Sequence, residues 1–208
     1  MKIKKPIIKN ILEKEDINTL NCEIIEDKIF NDTIVNNDIS NIEFNSCKFK
    51  RIDFSNINLE NIDFIDCTFE SCNLSNMKSN SKLFLRSEFI NCKLIGVFLD
   101  SIHFTDVLFD KCNLSYSTFS DSSIKTVSFI ESNLSEVRLY NIKHKNLFFI
   151  ESDLNNIEII NTKLKDIDLS TSDISGIRVC TNDLAGVIVS NYQLFDIASL
   201  FNIVIKND

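Results

Sequence analysis

The chain has 208 residues, three Gly, one Pro, seven Cys and a formal net charge of −8. That length suits one well-buried domain and leaves little room for a second, and no run approaches the ~18 consecutive apolar residues of a membrane-spanning helix. The acidic balance argues against direct nucleic-acid binding, which leaves a basic footprint, and so few glycines cannot build a glycine-rich phosphate loop.

The chain opens Met1-Lys-Ile-Lys-Lys-Pro-Ile-Ile-Lys-Asn10, with positive charge but no sustained apolar core behind it. No signal peptide is read there, and a cytoplasmic location with reduced thiols is expected. Residues 1–20 fall outside the periodic region and are expected to form an N-terminal extension or cap.

A period of five then sets in. Stepping by five from Phe44 gives Phe49, Phe54, Leu59, Phe64, Phe69 and Leu74, and the series stays apolar to Leu194 except at Ser79 and His144. Stepping back gives Ile39, Ile34, Ile29 and Ile24. Neither a 3.6-residue helix nor a two-residue strand alternation holds that register. The position two before each centre is small or β-branched, as at Cys47, Ile52, Ile57, Ile62, Cys67 and Cys72, and later Ser132, Ser152 and Ser172. Two residues in five therefore point inward and three face water.

Sorted in steps of 20, the centres fall into columns of like residues. One column reads Phe49, Phe69, Phe89, Phe109, Phe129, Phe149; another Phe44, Phe64, Phe84, Phe104; a third Leu74, Leu94, Leu114, Leu134, Leu154. Four pentads thus make one coil. Residues 21–200 supply about nine coils, a rod of about 40 Å at roughly 4.8 Å per coil. The register holds from Ile39 to Val189, so no large inserted loop is expected, and Ser79 and Lys82 mark the best place for a local distortion.

After residue 190 the pentad chemistry breaks. Asn191 is expected to cap a short helix whose apolar residues Leu194, Ile197, Ala198 and Phe201 recur at helical spacing. A solenoid needs such an end, because its last coil otherwise exposes core and strand edge.

Cys47, Cys67, Cys72, Cys92 and Cys112 occupy the inward small slot, which favours packing over metal or redox chemistry, although Cys72 and Cys92 stand near enough in principle for a disulfide. Cys22 and Cys180 lie outside that set. His144 sits at a centre and is expected half-buried and tied to backbone; His103 is expected outward. No catalytic, cofactor-binding or metal-ligating set appears at a recognisable spacing, and a convex packed rod offers no pocket for an enzyme.

The outward residues sort by face. Glu131, Glu151, Asp153 and Asp173 form an acidic face with Asp110 near its edge, and Lys125, Lys143, Lys145, Lys163 and Lys165 lie opposite. A third face carries Ile90, Leu108, Ile130, Phe148, Ile150 and Ile188, which either pack over the turns or mark a contact surface. The expected partner-binding face comprises Asp110, Glu131, Glu151, Asp153, Asp173, Ile130, Phe148 and Ile150.

Fragments such as Cys112-Asn-Leu-Ser-Tyr116, Ser132-Asn-Leu-Ser-Glu136 and Ser152-Asp-Leu-Asn-Asn156 resemble the A(D/N)LXX consensus of pentapeptide-repeat proteins. That resemblance implies an all-β fold, a right-handed quadrilateral β-helix over residues 21–190. A C-terminal helix and tail would follow at 191–208. A narrower resemblance comes from Asp168-Leu-Ser170, Asp183-Leu-Ala-Gly-Val187, Val189-Ser-Asn-Tyr-Gln193 and Leu200-Phe-Asn-Ile-Val-Ile205. These are similar to the end of the quinolone-resistance (Qnr) branch, of the Gram-positive type without inserted loops. It implies a non-enzymatic DNA mimic that binds DNA gyrase and topoisomerase IV and protects them from fluoroquinolones. It also implies a homodimer through Tyr192, Leu194, Phe195, Ile197, Ala198, Leu200 and Phe201. Some Gram-negative members need inserted loops for protection; none is present here, so that part is not implied. The competing expectation is an interaction scaffold with an unrelated partner.

Overall fold

The structure, a computed structural model, describes residues 3–20, 22–80 and 83–203. The pentad produces a square coil because one residue in five turns the chain. Two residues after each centre the backbone enters the left-handed region, as at Asn56 (φ 62°), Asn76 (57°), Asp106 (54°), Asn141 (54°) and Asn156 (54°). Asn and Asp tolerate that region better than other residues with side chains, so they replace glycine as the turn residue. Gly96, Gly176 and Gly186 occupy the same slot. At Gly176 no other residue fits without a shift, since a Cβ would lie 2.4 Å from Oδ1 of Asn156.

Coils stack in parallel, and equivalent side chains meet one coil apart. Phe49 pairs with Phe69, Phe89 with Phe109, and Phe129 with Phe149. Their rings stack face to face, with centroids 4.7 Å apart for Phe49–Phe69, 4.5 Å for Phe69–Phe89 and 4.8 Å for Phe89–Phe109. The Phe44, Phe64, Phe84, Phe104 column stacks beside it at 5.0–5.3 Å and meets it edge-on, as in Phe64–Phe69 at 73°. Each such aromatic pair is worth about 0.5–1.5 kcal/mol beyond its burial.

Four faces follow from the four columns. Face 1 carries the Phe44 column and face 2 the Phe49 column; together they form an eleven-stranded sheet. In its middle, strands Leu83–Ile90, His103–Asp110, Ser123–Ile130 and Lys143–Ile150 run unbroken across the corner between the two faces. Face 3, with the Leu74 column, is held by single parallel bridges from Ile34↔Asp53 to Asp153↔Asp173. Face 4 is an eight-stranded sheet from Ile39–Ser40 to Arg178–Val179. Ser79 is buried on face 4 (3 % exposed) inside a two-residue strand, Lys78–Ser79. Lys82 lies outside the described residues.

The stack has about eight turns rather than nine, and the ends account for the difference. At the N-terminus the first coil is out of step. Ile25 pairs with Phe44 and Phe30 with Phe49, whereas Phe49 pairs with Phe69. The inward centres there are Ile25, Phe30 and Val35 (4 %, 0 % and 6 % exposed). Ile24 and Ile34, expected inward, are exposed, and Ile29 is half-buried. One pentad between Val35 and Ile39 is a residue short, and the shift lets Phe30 stack on Phe49 at 5.1 Å, burying a ring instead of an isoleucine. Before that coil, Glu13–Lys14 pairs with Lys28 and Ile29, and the turn Ile17–Thr19, capped by Asp16, places Ile17 in the core.

At the C-terminus the cap is Ser190, not Asn191. Gln193 returns its Oε1 to the Ser190 N–H at 2.8 Å, completing a capping box around Asn191–Gln193. The α-helix Leu194–Ser199 follows. Leu194, which the five-residue count places inward, is 53 % exposed, because Gln193 has taken the inward position.

Candidate protein-interaction surface

Outward residues on faces 1 and 2 stand in columns set by the sheet register. On face 2, Ile90, Asp110, Ile130 and Ile150 form one column, and Glu88, Leu108, Ser128 and Phe148 the next. Asp110, Ile130 and Phe148 are half-buried and Ile150 is exposed, so the apolar strip partly packs on itself and partly faces water. Ile188, 50 % exposed, lies beyond a polar gap at Asp168 and Ser170.

The acidic residues divide by role. Glu131 and Glu151 are exposed at the corner after face 2, both with positive φ. Lys111 lies 3.6 Å from Glu131. Asp153 and Asp173 sit on the face 3 bridge column, where each folds onto its own turn. Asp153 Oδ1 accepts the Asn155 N–H at 2.9 Å. Asp173 Oδ1 accepts the Ser175 N–H at 2.9 Å and its hydroxyl at 2.7 Å, and these bonds hold the Asp173 carboxyl below the usual range. Asp53, Asn73, Asn113 and Asn133 make the same bond in their own coils, with Lys93 interrupting the series. Part of the acidic face therefore braces turns. Its sequence signature is an Asn or Asp two residues before a Ser, repeated every 20.

Lys125, Lys143, Lys145, Lys163 and Lys165 all belong to face 1, across the coil from face 3. His144 points toward the coil interior but is only half-buried, and its Nε2 donates to the Lys163 carbonyl at 2.5 Å. His103 is exposed, with Nδ1 2.7 Å from the Ser123 hydroxyl.

The five cysteines of the inward slot are all buried (2 % exposed or less) and form no disulfide. The Cys72, Cys92 and Cys112 thiols donate to the carbonyls of Phe49, Phe69 and Phe89 at 3.3–3.4 Å. Burial raises the Cys67 thiol well above its usual value. The neighbouring Cys92 thiol, then burial, raises Cys72; Cys112 and then burial push Cys92 up to about 12. A thiol so placed is a poor nucleophile. Cys22 and Cys180 are exposed. Among the described residues no cluster of three His, Cys, Asp or Glu is placed to hold a metal, and no helix is long and apolar enough to cross a membrane.

The pentad pattern does not reveal a segment that lies outside it. Residues 4–9 run along the corner between faces 1 and 2, across successive coils. The Ile7 N–H donates to Asp66 Oδ1 at 2.9 Å, its carbonyl accepts the Ser46 hydroxyl at 2.9 Å, and the Lys4 N–H reaches Asp106. Lys9 pairs with Asp27 at 2.5 Å. Asp66 is fixed in turn by both arms of Arg86 at 2.6 Å. The acid–base–acid column Asp66, Arg86, Asp106 was the one signal available in the sequence.

The C-terminal helix presents its apolar residues outward. Tyr192, Leu194, Phe195 and Phe201 are 92 %, 53 %, 61 % and 50 % exposed, while Ile197, Ala198 and Leu200 are half-buried, Ile197 and Leu200 against the core.

These features define a four-sided parallel β-solenoid with distinct outer faces and an apolar end. A pentapeptide-repeat-region model matches residues 62–138 and 82–159, and a model of eight pentapeptide repeats matches 42–78, together more than half the chain. The chain belongs to the pentapeptide-repeat family. No curated protein matches it significantly. Among solved structures it is similar to a trypsin-treated form of QnrB1, a plasmid-mediated fluoroquinolone resistance protein, at 24 % identity and TM-score 0.40, over 93 % of this chain and 96 % of that one. It is also similar to HetL, a pentapeptide-repeat protein involved in heterocyst differentiation regulation in the cyanobacterium Nostoc sp. strain PCC 7120. That match has 13 % identity and TM-score 0.34, over 81 % of this chain and 90 % of that one.

Proposed function

We propose that this protein is a non-enzymatic rod that binds type II topoisomerases, DNA gyrase and topoisomerase IV, and protects them from fluoroquinolones. The observation that carries the reading is at the C-terminus. The stretch resembling the quinolone-resistance branch folds into a short helix, Leu194–Ser199, with a turn on either side, and Tyr192, Leu194, Phe195 and Phe201 along it face water. An apolar cluster of this kind on a water-exposed end calls for a partner. A second copy joined there would double the rod.

Contact with the enzyme falls to the face 2 strip, Ile130, Phe148 and Ile150, with Asp110, Glu131 and Glu151 at its margin. Asp153 and Asp173 contribute less to docking, because their carboxylates are already engaged in turns. DNA mimicry in the strict sense is weakened by the lysines of face 1, so one-sided docking fits better than a uniformly acidic rod. The same lysines favour the second reading, a scaffold for a different protein partner.

The test is gyrase supercoiling in the presence of a fluoroquinolone, with the purified protein titrated from sub-stoichiometric to excess. Rescue at low concentration supports the reading. No effect on either gyrase or topoisomerase IV leaves the scaffold.

A further inference from the structure

Face 1 stacks lysines one above another. Lys125 and Lys145 are direct partners in the ladder, and Lys165 and Lys163 follow Lys145 and Lys143 one coil on. Like charges opposite each other in a sheet repel. Lys163 is neutralised by Asp183 at 2.7 Å. Among the described residues no carboxylate lies within ion-pair distance of Lys125, Lys143, Lys145 or Lys165.

Beneath these lysines the strand ladder ends. Lys143–Ile150 is the last strand of its sheet; in the next coil residues 163–170 form no strand, with a turn at Lys165 and Asp166 and a single parallel bridge from Asp168 to Ile188. His144 lies at this break. It occupies the centre held by Phe104 and Ile124 in the coils before and by Leu164 in the coil after, and its ring bonds the Lys163 carbonyl. The imidazole is half-buried and tied to that carbonyl, where the equivalent centres of the neighbouring coils are fully buried apolar side chains. Side-chain bonds secure the two coils on either side, from the Ile142 N–H to Thr162 Oγ1 at 3.0 Å and from the Glu151 N–H to Thr171 Oγ1 at 3.2 Å. Between them lies a cleft of about 270 Å³ lined by His144, Lys145, Asn146, Phe148, Lys165 and Asp166, among others.

We infer that this cleft binds a small oxyanion of the phosphate class, phosphate or diphosphate, between the ammonium groups of Lys145 and Lys165. The two lysines stand on adjacent coils, one on each lip, where the groups repel without an anion and are bridged with one. A ligand in a cleft walled by protein feels their field more strongly than one on an open surface. Lys125 and Lys143 add to that field. Asp166 is the one carboxylate in the lining and occupies the corner side, which places the anion toward face 1. The site adjoins the face 2 strip at Phe148, which belongs to both, and is separate from the C-terminal helix.

The test is isothermal titration of the full chain with sodium pyrophosphate, and with inorganic phosphate, at constant ionic strength set by chloride. Saturable binding of one anion per chain is expected. The double variant Lys145→Ala/Lys165→Ala should bind about tenfold or more weakly, the loss expected for two charge-assisted contacts. His144→Ile keeps both lysines and refills the centre as Ile124 does, so it should weaken binding similarly while circular dichroism stays that of a β-solenoid. Absence of saturable binding, or equal binding by both variants, overturns the site. Weakening by the lysine variant alone, with His144→Ile unchanged, also overturns it, because surface lysines would then suffice without the cleft.

Discussion

Gln193 donates through Nε2 to the carbonyl oxygen of Leu169 at 2.7 Å, and the same nitrogen reaches the Ser172 carbonyl at 2.7 Å. One buried amide thus closes the last coil and anchors the helix that follows. Gln193→Leu would keep the volume and leave both carbonyls without that donor, at a cost of about 1–3 kcal/mol each. The expected result is a melting temperature lower by several degrees and faster hydrogen exchange confined to residues 169–203. Unchanged exchange there would show that the cap does not depend on this side chain.

Phe109 lies between Phe89 and Phe129, with centroids 4.8 Å away on each side. Its neighbours belong to different coils and cannot close over a void without bending the stack. Phe109→Ala is expected to cost about 3–5 kcal/mol by urea denaturation. A loss below 1 kcal/mol would mean that the ring column is not a continuous core.

Thr126 holds φ 60° at the face 1–2 corner, a region unfavourable for a β-branched residue. Asn146 holds φ 61° one coil on, with the residue type that tolerates it. Thr126→Asn is expected to stabilise the fold by about 1 kcal/mol, raising the melting temperature by about 2–4 °C in a chain of this size.

The buried thiols predict an alkaline limit. Cys67, Cys72 and Cys92 are held protonated above the ordinary thiol range. Below about pH 8.5 the folded and unfolded states bind the same thiol protons, so these groups give no pH dependence there. Above it the unfolded chain releases them first, and stability falls until the folded thiols also titrate, near 12 for Cys92. Each thiol steepens the fall by about 1.4 kcal/mol per pH unit. Melting temperatures from pH 8 to 10.5 should therefore drop more steeply for the natural chain than for Cys67→Ser/Cys72→Ser/Cys92→Ser. In the native state these thiols should also resist a disulfide reagent that reacts with Cys22 and Cys180.

The solenoid was legible because its inward positions repeat in residue type as well as hydropathy. Phe49 to Phe149 names a column that only a 20-residue coil can stack. The first coil was not legible in the same way. Ile24 and Ile25, Ile29 and Phe30, and Ile34 and Val35 are adjacent apolar pairs, and hydropathy does not say which member turns inward. The turn slot does say so, since Asp27 and Asp32 are followed by Asn41 rather than by residue 42. Residues 4–9 carry no pattern of their own, because Ile7 is held through its backbone, and only the Asp66, Arg86, Asp106 column on the receiving side signals their path. At the interaction surface, face membership followed from the period, but the engagement of Asp153 and Asp173 in turns needed their hydrogen bonds.

The exposed end predicts the oligomeric state. Leu194→Asp/Phe201→Asp should convert a dimer to a monomer by light scattering without changing the β-solenoid spectrum. Neither side chain belongs to the buried core, so loss of the fold is not the expected cause. A dimer that persists would place the contact elsewhere.

The central claim is that the face 2 strip docks on a type II topoisomerase. The most direct measurement is the affinity of purified DNA gyrase for the natural chain and for Ile130→Glu/Ile150→Glu, by surface plasmon resonance in the absence of DNA. The account predicts saturable binding by the natural chain and a loss of about tenfold or more in the variant. Equal affinity of the two proteins, or no binding by the natural chain, would contradict it.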